Sequence, residues 1–153
     1  MKRILVPVDF SPVTKSMMDV VTTIATACES KIILVHVAPP FVSDLKTVQV
    51  PQKERDFVAH MLREEHRDLQ TLADDLTKLD CDAEALLVEG HGTVEKILDE
   101  AERREADLIV VGSHGHGRLF EMLIGSTSEG LLRKARVPVL IVPSDAPETT
   151  GES

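Results

Sequence analysis

Asp107-Leu108-Ile109-Val110-Val111-Gly112-Ser113-His114-Gly115 decides how the rest of this chain is read. Residues 107 to 111 read as a buried strand, Asp107 followed by four apolar residues that stop at a glycine. Gly112, Gly115 and Gly117 then supply a permissive backbone whose N–H groups can converge on an anion. After a nine-residue spacer, Gly125-Ser126-Thr127-Ser128 opens a helix whose first amides and positive dipole end also favour an anion. Strand, glycine loop and helix start read together as a phosphate cradle.

Working outward, strand and helix periodicities alternate. Lys2 to Val8 is a short β-rich run, and Ser11-Pro12 supplies an N-cap followed by a proline at the first helical position. Val13, Met17, Val20, Val21, Ile24 and Cys28 follow at helical spacing. Lys31 to Val37 is a second apolar strand, and Ala38 to Pro51 is a proline-containing loop. From Gln52 to Leu79, a long charged helix carries Val58, Met61, Leu62, Leu69, Leu72, Leu76 and Leu79 on one face. Ala83 to Val88 makes the third strand, and Gly90-His91-Gly92-Thr93 turns into a helix faced by Val94, Ile97, Leu98 and Ala101. Ser126 to Ala135 is a short helix, Val137 to Val142 the fifth strand, and Ser144 to Ser153 a polar tail expected to be disordered. Five strands alternating with helices specify a single-domain α/β fold, an open parallel sheet covered by helices on both faces. Ligands of such sheets lie beyond the carboxyl ends of the strands, which here carry Pro7-Val8-Asp9 and the glycine loop.

Composition narrows the function. The chain has 153 residues, 42% of them hydrophobic, enough for one core. A net charge of −9 argues against non-specific nucleic-acid or anionic-membrane binding, which need a basic surface. The absence of Trp and Tyr removes the usual stacking platforms for single-stranded bases. The apolar run after Met1-Lys2-Arg3 is interrupted at Asp9, and no stretch could span a bilayer. With only Cys28 and Cys81, a disulfide framework is not expected, and a reducing cytoplasm is the expected setting.

The spacing Gly-x2-Gly-x9-Gly-Ser, the opening Ile4-Leu5-Val6-Pro7-Val8-Asp9, the middle Leu34-Val35-His36-Val37 and the ending Val137-Pro138-Val139-Leu140-Ile141-Val142 resemble the universal stress protein family. The similarity runs from residue 1 to about 143. It implies the strand order 3-2-1-4-5 and the subgroup that binds ATP. Carried over by position, it makes Gly112, Gly115, Gly125, Ser126 and Thr127 the ribose and triphosphate contacts. Asp9 and Val37 define the adenine end, with Val8 and Val111 flanking it; Pro7 and Ser128 adjoin these positions. The resemblance also implies a two-fold homodimer through Val137 to Val142.

The residues allow other uses for several of these groups. Gly112 and Gly115 could serve a tight loop. Ser126 and Glu129 spell Ser-x-x-Glu, a capping box that would occupy the Ser126 side chain. Asp9 is read as available to a ligand because Ser11 before Pro12 fills the cap. His114 and His116 lack the further ligands of a tetrahedral metal site, and Arg118, permanently charged and forked, is the better phosphate partner.

Gly112 to Leu119 is not a Walker A loop, since Arg118 and Leu119 replace its lysine and hydroxyl residue. Phe120 stands where a dinucleotide fingerprint needs its third glycine. No dedicated set for hydrolysis is evident. The expected function is therefore a nucleotide-dependent stress or signalling switch that binds ATP with Mg2+ held mainly by phosphates and water, acting on an unidentified protein partner. A slow ATP hydrolase or transferase, and an interaction module without nucleotide, are the alternatives.

Overall fold

A computed structural model describes residues 1–40, 50–113 and 124–144. Alternation along the strands decides which side each residue serves. In β1 (Arg3–Pro7), Ile4 and Val6 turn to one face and Leu5 to the other, and all three are fully buried. β2 (Lys31–Ala38) repeats the division with Ile32 and Leu34 against Ile33 and Val35, and β4 (Leu108–Gly112) with Leu108 and Val110 against Ile109 and Val111. Strands apolar on both sides must be covered on both sides. α1 (Val13–Cys28) and α2 (Gln52–Lys78) cover the first face through Met17, Val21, Leu69 and Leu76. α3 (Thr93–Arg103) and α4 (Ser126–Lys134) cover the second through Ile97, Ala101 and Leu131.

With β3 (Ala83–Glu89) and β5 (Val139–Val142), the sheet has the order β3-β2-β1-β4-β5, and every neighbouring pair is parallel. This is the expected α/β architecture. β5 begins two residues later than the apolar pattern suggests. Arg136 and Val137 form a bend, and the ladder is entered through the Pro138 carbonyl, which accepts from Ile109 N–H at 3.0 Å.

The long helix departs more from expectation. Its carboxyl half is core, with Leu69, Ala73 and Leu76 buried, but Met61 is 43% exposed and Leu79 62% exposed. Leu79 follows the last helical residue as the C-cap, at φ −93° and ψ 19°, and so leaves the helical face; geometry explains Met61. The 27 residues of α2 extend about 40 Å, whereas the 5 to 8 residues of β1 and β2 extend about 17–27 Å, so the helix outruns the sheet.

At the amino ends of the central strands, Asp107 Oδ2 accepts from Lys2 N–H at 2.5 Å and from Arg3 N–H at 2.9 Å. These two backbone donors, Lys2 first, hold the Asp107 carboxyl below its ordinary value of 3.8. Because the folded value is depressed, the stabilisation is complete above that ordinary value and is lost as pH falls through the folded one. Asp107→Asn is therefore expected to lower the urea midpoint at pH 7, with the gap to wild type closing on acidification below about pH 4. A gap that stays constant down to pH 2 would contradict this.

Candidate functional site

The sheet opens between its two central strands. β1 stays paired with β2 as far as Pro7↔Val35, and β4 with β5 as far as Gly112↔Val142. The pairing between β1 and β4 ends earlier, at Leu5↔Ile109. Both strands continue past that point without pairing to each other, where the strand order reverses and a doubly wound sheet has its crevice. That is the position at which doubly wound sheets take ligands.

One wall is the end of β1. Pro7 is half-buried, Val8 is buried and Asp9 is exposed. Here the expected cap is corrected: Pro12 is itself the N-cap residue of α1 and no side chain caps the helix, Ser11 Oγ is buried without a hydrogen-bond partner, and Asp9 Oδ1 accepts from Ser11 N–H at 3.0 Å in the turn before the helix. Phe10, in a left-handed conformation at φ 59°, bends the chain between them. Asp9 is thus held in a local turn rather than left without a backbone role.

The other wall combines β4 and α4. Gly112 has no positive φ; its lack of a side chain serves packing. A Cβ there would overlap Val13 Cγ1 and come within 3.1 Å of Met17 Sδ, so α1 lies directly against the end of β4. Ser113 then leaves the strand, and Gly125 N–H returns to its carbonyl at 2.6 Å. Ser113 Oγ also accepts from Ser144 N–H at 3.2 Å, tying the end of β5 to the same point.

α4 starts one residue later than a capping box requires. Gly125 occupies the cap, Ser126 is the first helical residue, and no side chain caps the helix. Glu129 consequently sits too far along to reach back, and it accepts instead from Arg133 Nη2 at 2.8 Å. The exposed Ser126 side chain is therefore not used as a cap. The first intrahelical bond is Glu129 N–H to Gly125 carbonyl, 2.9 Å, so the amides of Ser126, Thr127 and Ser128 precede the helix ladder. Ser128 is different from its neighbours. Its hydroxyl is buried and donates to the Gly112 carbonyl at 2.6 Å, fastening α4 to β4; contact with a ligand would fall to its N–H.

Behind this wall, Lys134 Nζ donates to Glu95 Oε1 at 2.5 Å, joining α4 to α3 and holding the Glu95 carboxyl below its usual range.

The fold brings Val8, Asp9, Gly112, Gly125, Ser126 and Thr127 to one end of the sheet. Val8 and Val111 pack on opposite faces, the first under α1 and α2, the second under α3 and α4. Val37 lies one strand further out, in register with Val88. His114, Gly115 and Arg118 lie outside the described residues, as do 41–49 of the proline-containing loop and 145–153 of the tail.

Two residues at this end were not singled out in the sequence. His36 and Phe10 meet beside Val8 in a tilted ring contact, their centroids 5.0 Å apart. The available signal was a polar ring inside an otherwise apolar strand. Among the described residues, no group of three or more His, Cys, Asp and Glu side chains is placed to hold a metal, and no helix is long and apolar enough to cross a membrane.

Comparison with known proteins places this geometry. The universal stress protein MJ0577 of Methanocaldococcus jannaschii is 26% identical over 92% of this chain and 94% of its own length. Its solved structure superposes with a TM-score of 0.76, covering 95% of this chain and 97% of that one at 28% identity. A universal stress protein from Burkholderia pseudomallei gives 0.72 at 27% identity, covering 93% and 96% of the two chains. One solved in complex with cAMP gives 0.62 at 25% identity, covering 94% and 98%. The universal stress protein family as a whole matches residues 1–143, and with the sheet order and crevice described above, the chain belongs to that family.

Proposed function

We propose that the crevice between β1 and β4 binds ATP and that the bound nucleotide sets the conformation or partner choice of a cytoplasmic stress-response or signalling protein. The observation that carries this reading is the early end of β1–β4 pairing at Leu5↔Ile109, with the unladdered first turn of α4 beside the opening. The donor set suits an anionic, sugar-bearing ligand. The first amides of α4 and the exposed Ser126 hydroxyl offer hydrogen bonds to phosphate or ribose, and Asp9 and Val37 mark the base end. Gly115, Arg118 and His114, which lie outside the described residues, are assigned to the phosphate side from the sequence and the family resemblance alone. A relative solved with cAMP supports an adenine nucleotide as the ligand class.

Mg2+ enters with the nucleotide, held mainly by phosphate oxygens and water. Turnover is slow at most, because hydrolysis needs a positioned water, a group to orient it and charge neutralisation at the γ-phosphate, and the sequence offers no dedicated set for these. β5 is a sheet edge with Val139, Leu140 and Ile141 only partly buried, and a second copy pairing there gives a homodimer.

Native mass spectrometry of freshly purified protein, followed by thermal unfolding with added Mg-ATP, tests the reading. The expected result is a two-chain mass carrying nucleotide, and a midpoint that rises with ATP. At one hundred times Kd, the stabilisation should be about 2.7 kcal/mol. A single-chain mass at micromolar protein would remove the dimer, and the absence of both bound nucleotide and any thermal shift would remove the ATP site.

A further inference from the structure

We infer that His36 is a positioning residue for the Asp9 turn, and that through Glu65 it links α2 to the nucleotide crevice; the link to nucleotide rests on the ATP reading above. His36 stands on the face of β2 that carries Leu34, toward α1 and α2, with its side chain 13% exposed. Its Nδ1 lies 2.6 Å from the Val8 carbonyl. A carbonyl oxygen only accepts, so Nδ1 carries the hydrogen whatever the charge of the ring. Val8 N–H in turn donates to the Val35 carbonyl at 2.8 Å. The last buried residue before Asp9 is therefore gripped at both ends of its backbone, beyond the point where regular β1–β2 pairing stops at Pro7↔Val35.

The next residues depend on that grip. Phe10 takes a left-handed backbone at φ 59°, unfavourable for a residue with a Cβ, and its ring is braced on His36 with the planes inclined at 50°. Between Val8 and Phe10, Asp9 folds its carboxylate onto Ser11 N–H. One imidazole thus fixes the residue before Asp9 by a hydrogen bond and the residue after it by ring contact. A side chain that only filled space in β2 would need neither.

On its other side the ring faces α2. Nε2 is 3.5 Å from Glu65 Oε2, a buried oxygen with no hydrogen-bond partner. When Nε2 also bears a proton, it points that hydrogen at the carboxylate. Among the described residues, Glu65 is the charged group facing the ring from α2; Glu64 turns instead to Arg67 and His60. β1 offers the Val8 carbonyl and β3 the apolar partner Leu87. A shift of α2 that moves Glu65 thereby pulls on the ring that holds the Asp9 turn.

The test compares ATP affinity by calorimetry for wild type, His36→Leu, His36→Asn and Glu65→Gln, with backbone amide shifts and imidazole 15N shifts recorded without nucleotide. The wild-type ring should be protonated at Nδ1. His36→Leu should bind ATP about tenfold more weakly and displace the Asp9, Phe10 and Ser11 amide resonances. His36→Asn, whose amide replaces the Nδ1 donor but cannot reach Glu65, should recover most of the affinity, and Glu65→Gln should fall between wild type and His36→Leu.

Equal ATP affinity of wild type and His36→Leu, or a ring unprotonated at Nδ1, would overturn the inference. If His36→Leu does not fold, His36→Asn decides: affinity no better than that of Asp9→Ala overturns it. Failure of wild type to bind ATP removes the nucleotide reading alone. The positioning role then stands or falls on whether the Asp9, Phe10 and Ser11 amides move in the His36 variants.

Discussion

Leu131→Ala is expected to lower the unfolding free energy by about 3–5 kcal/mol and to weaken nucleotide binding with it. Leu131 is fully buried, packed with Leu5, Ile109, Val111 and Ile97 on the α3–α4 face. Its helix has nine residues, too few to hold together alone in water, so α4 exists by virtue of what it buries. Neighbouring contacts leave little room for collapse around a truncated side chain. Gly130 lets α4 approach so closely that a Cβ there would lie 2.7 Å from Val94 Cγ2, and Ser128 is fixed to the Gly112 carbonyl. A cavity is therefore the expected outcome, with the first turn of α4 loosened beside the crevice. Urea unfolding and ATP titration of the same variant check both parts. A loss below about 1 kcal/mol would mean that α3 and α4 close over the gap.

Gly112→Val should destabilise by about 3 kcal/mol, even in the absence of nucleotide. Its added carbons would enter space already filled by Val13 and Met17 of α1. The cause is separable from ligand binding by a second substitution. Val13→Ala alone removes buried methyls and is itself destabilising, yet combined with Gly112→Ala it should recover part of what either loses, because the two side chains contend for one site. Strict additivity of the two in denaturant unfolding would overturn the packing account. It would leave approach to a ligand as the reason for glycine at this position.

The strands were legible because burial on both faces writes a dense apolar run, and alternation then assigns Ile4 and Val6 to one layer and Leu5 to the other without knowledge of the partners. The crevice followed from strand order, which the family resemblance supplied and the pairing now carries. Helix starts were less legible. Ser11 and Ser126 both fit the residue preference of a cap, and neither serves as one. Cap geometry turns on a shift of a single residue, decided here by the bend at Phe10 and by the return of Gly125 to Ser113. The reach of α2 beyond the sheet was also hidden, since helical periodicity continues whether or not a neighbour covers it. His36 gave the faintest signal, because its partners lie 28 and 29 positions away and nothing local marks them.

The short bond between Gly125 N–H and the Ser113 carbonyl joins the two ends of the glycine segment at a single point of the scaffold. A segment whose ends are already pinned together makes its length and sequence nearly independent of the sheet that bears it, since each doubling of a closed loop adds only about 0.6 kcal/mol of chain entropy. Substitutions or insertions between those two residues should therefore leave the stability of β4, β5 and α4 nearly unchanged in denaturant unfolding.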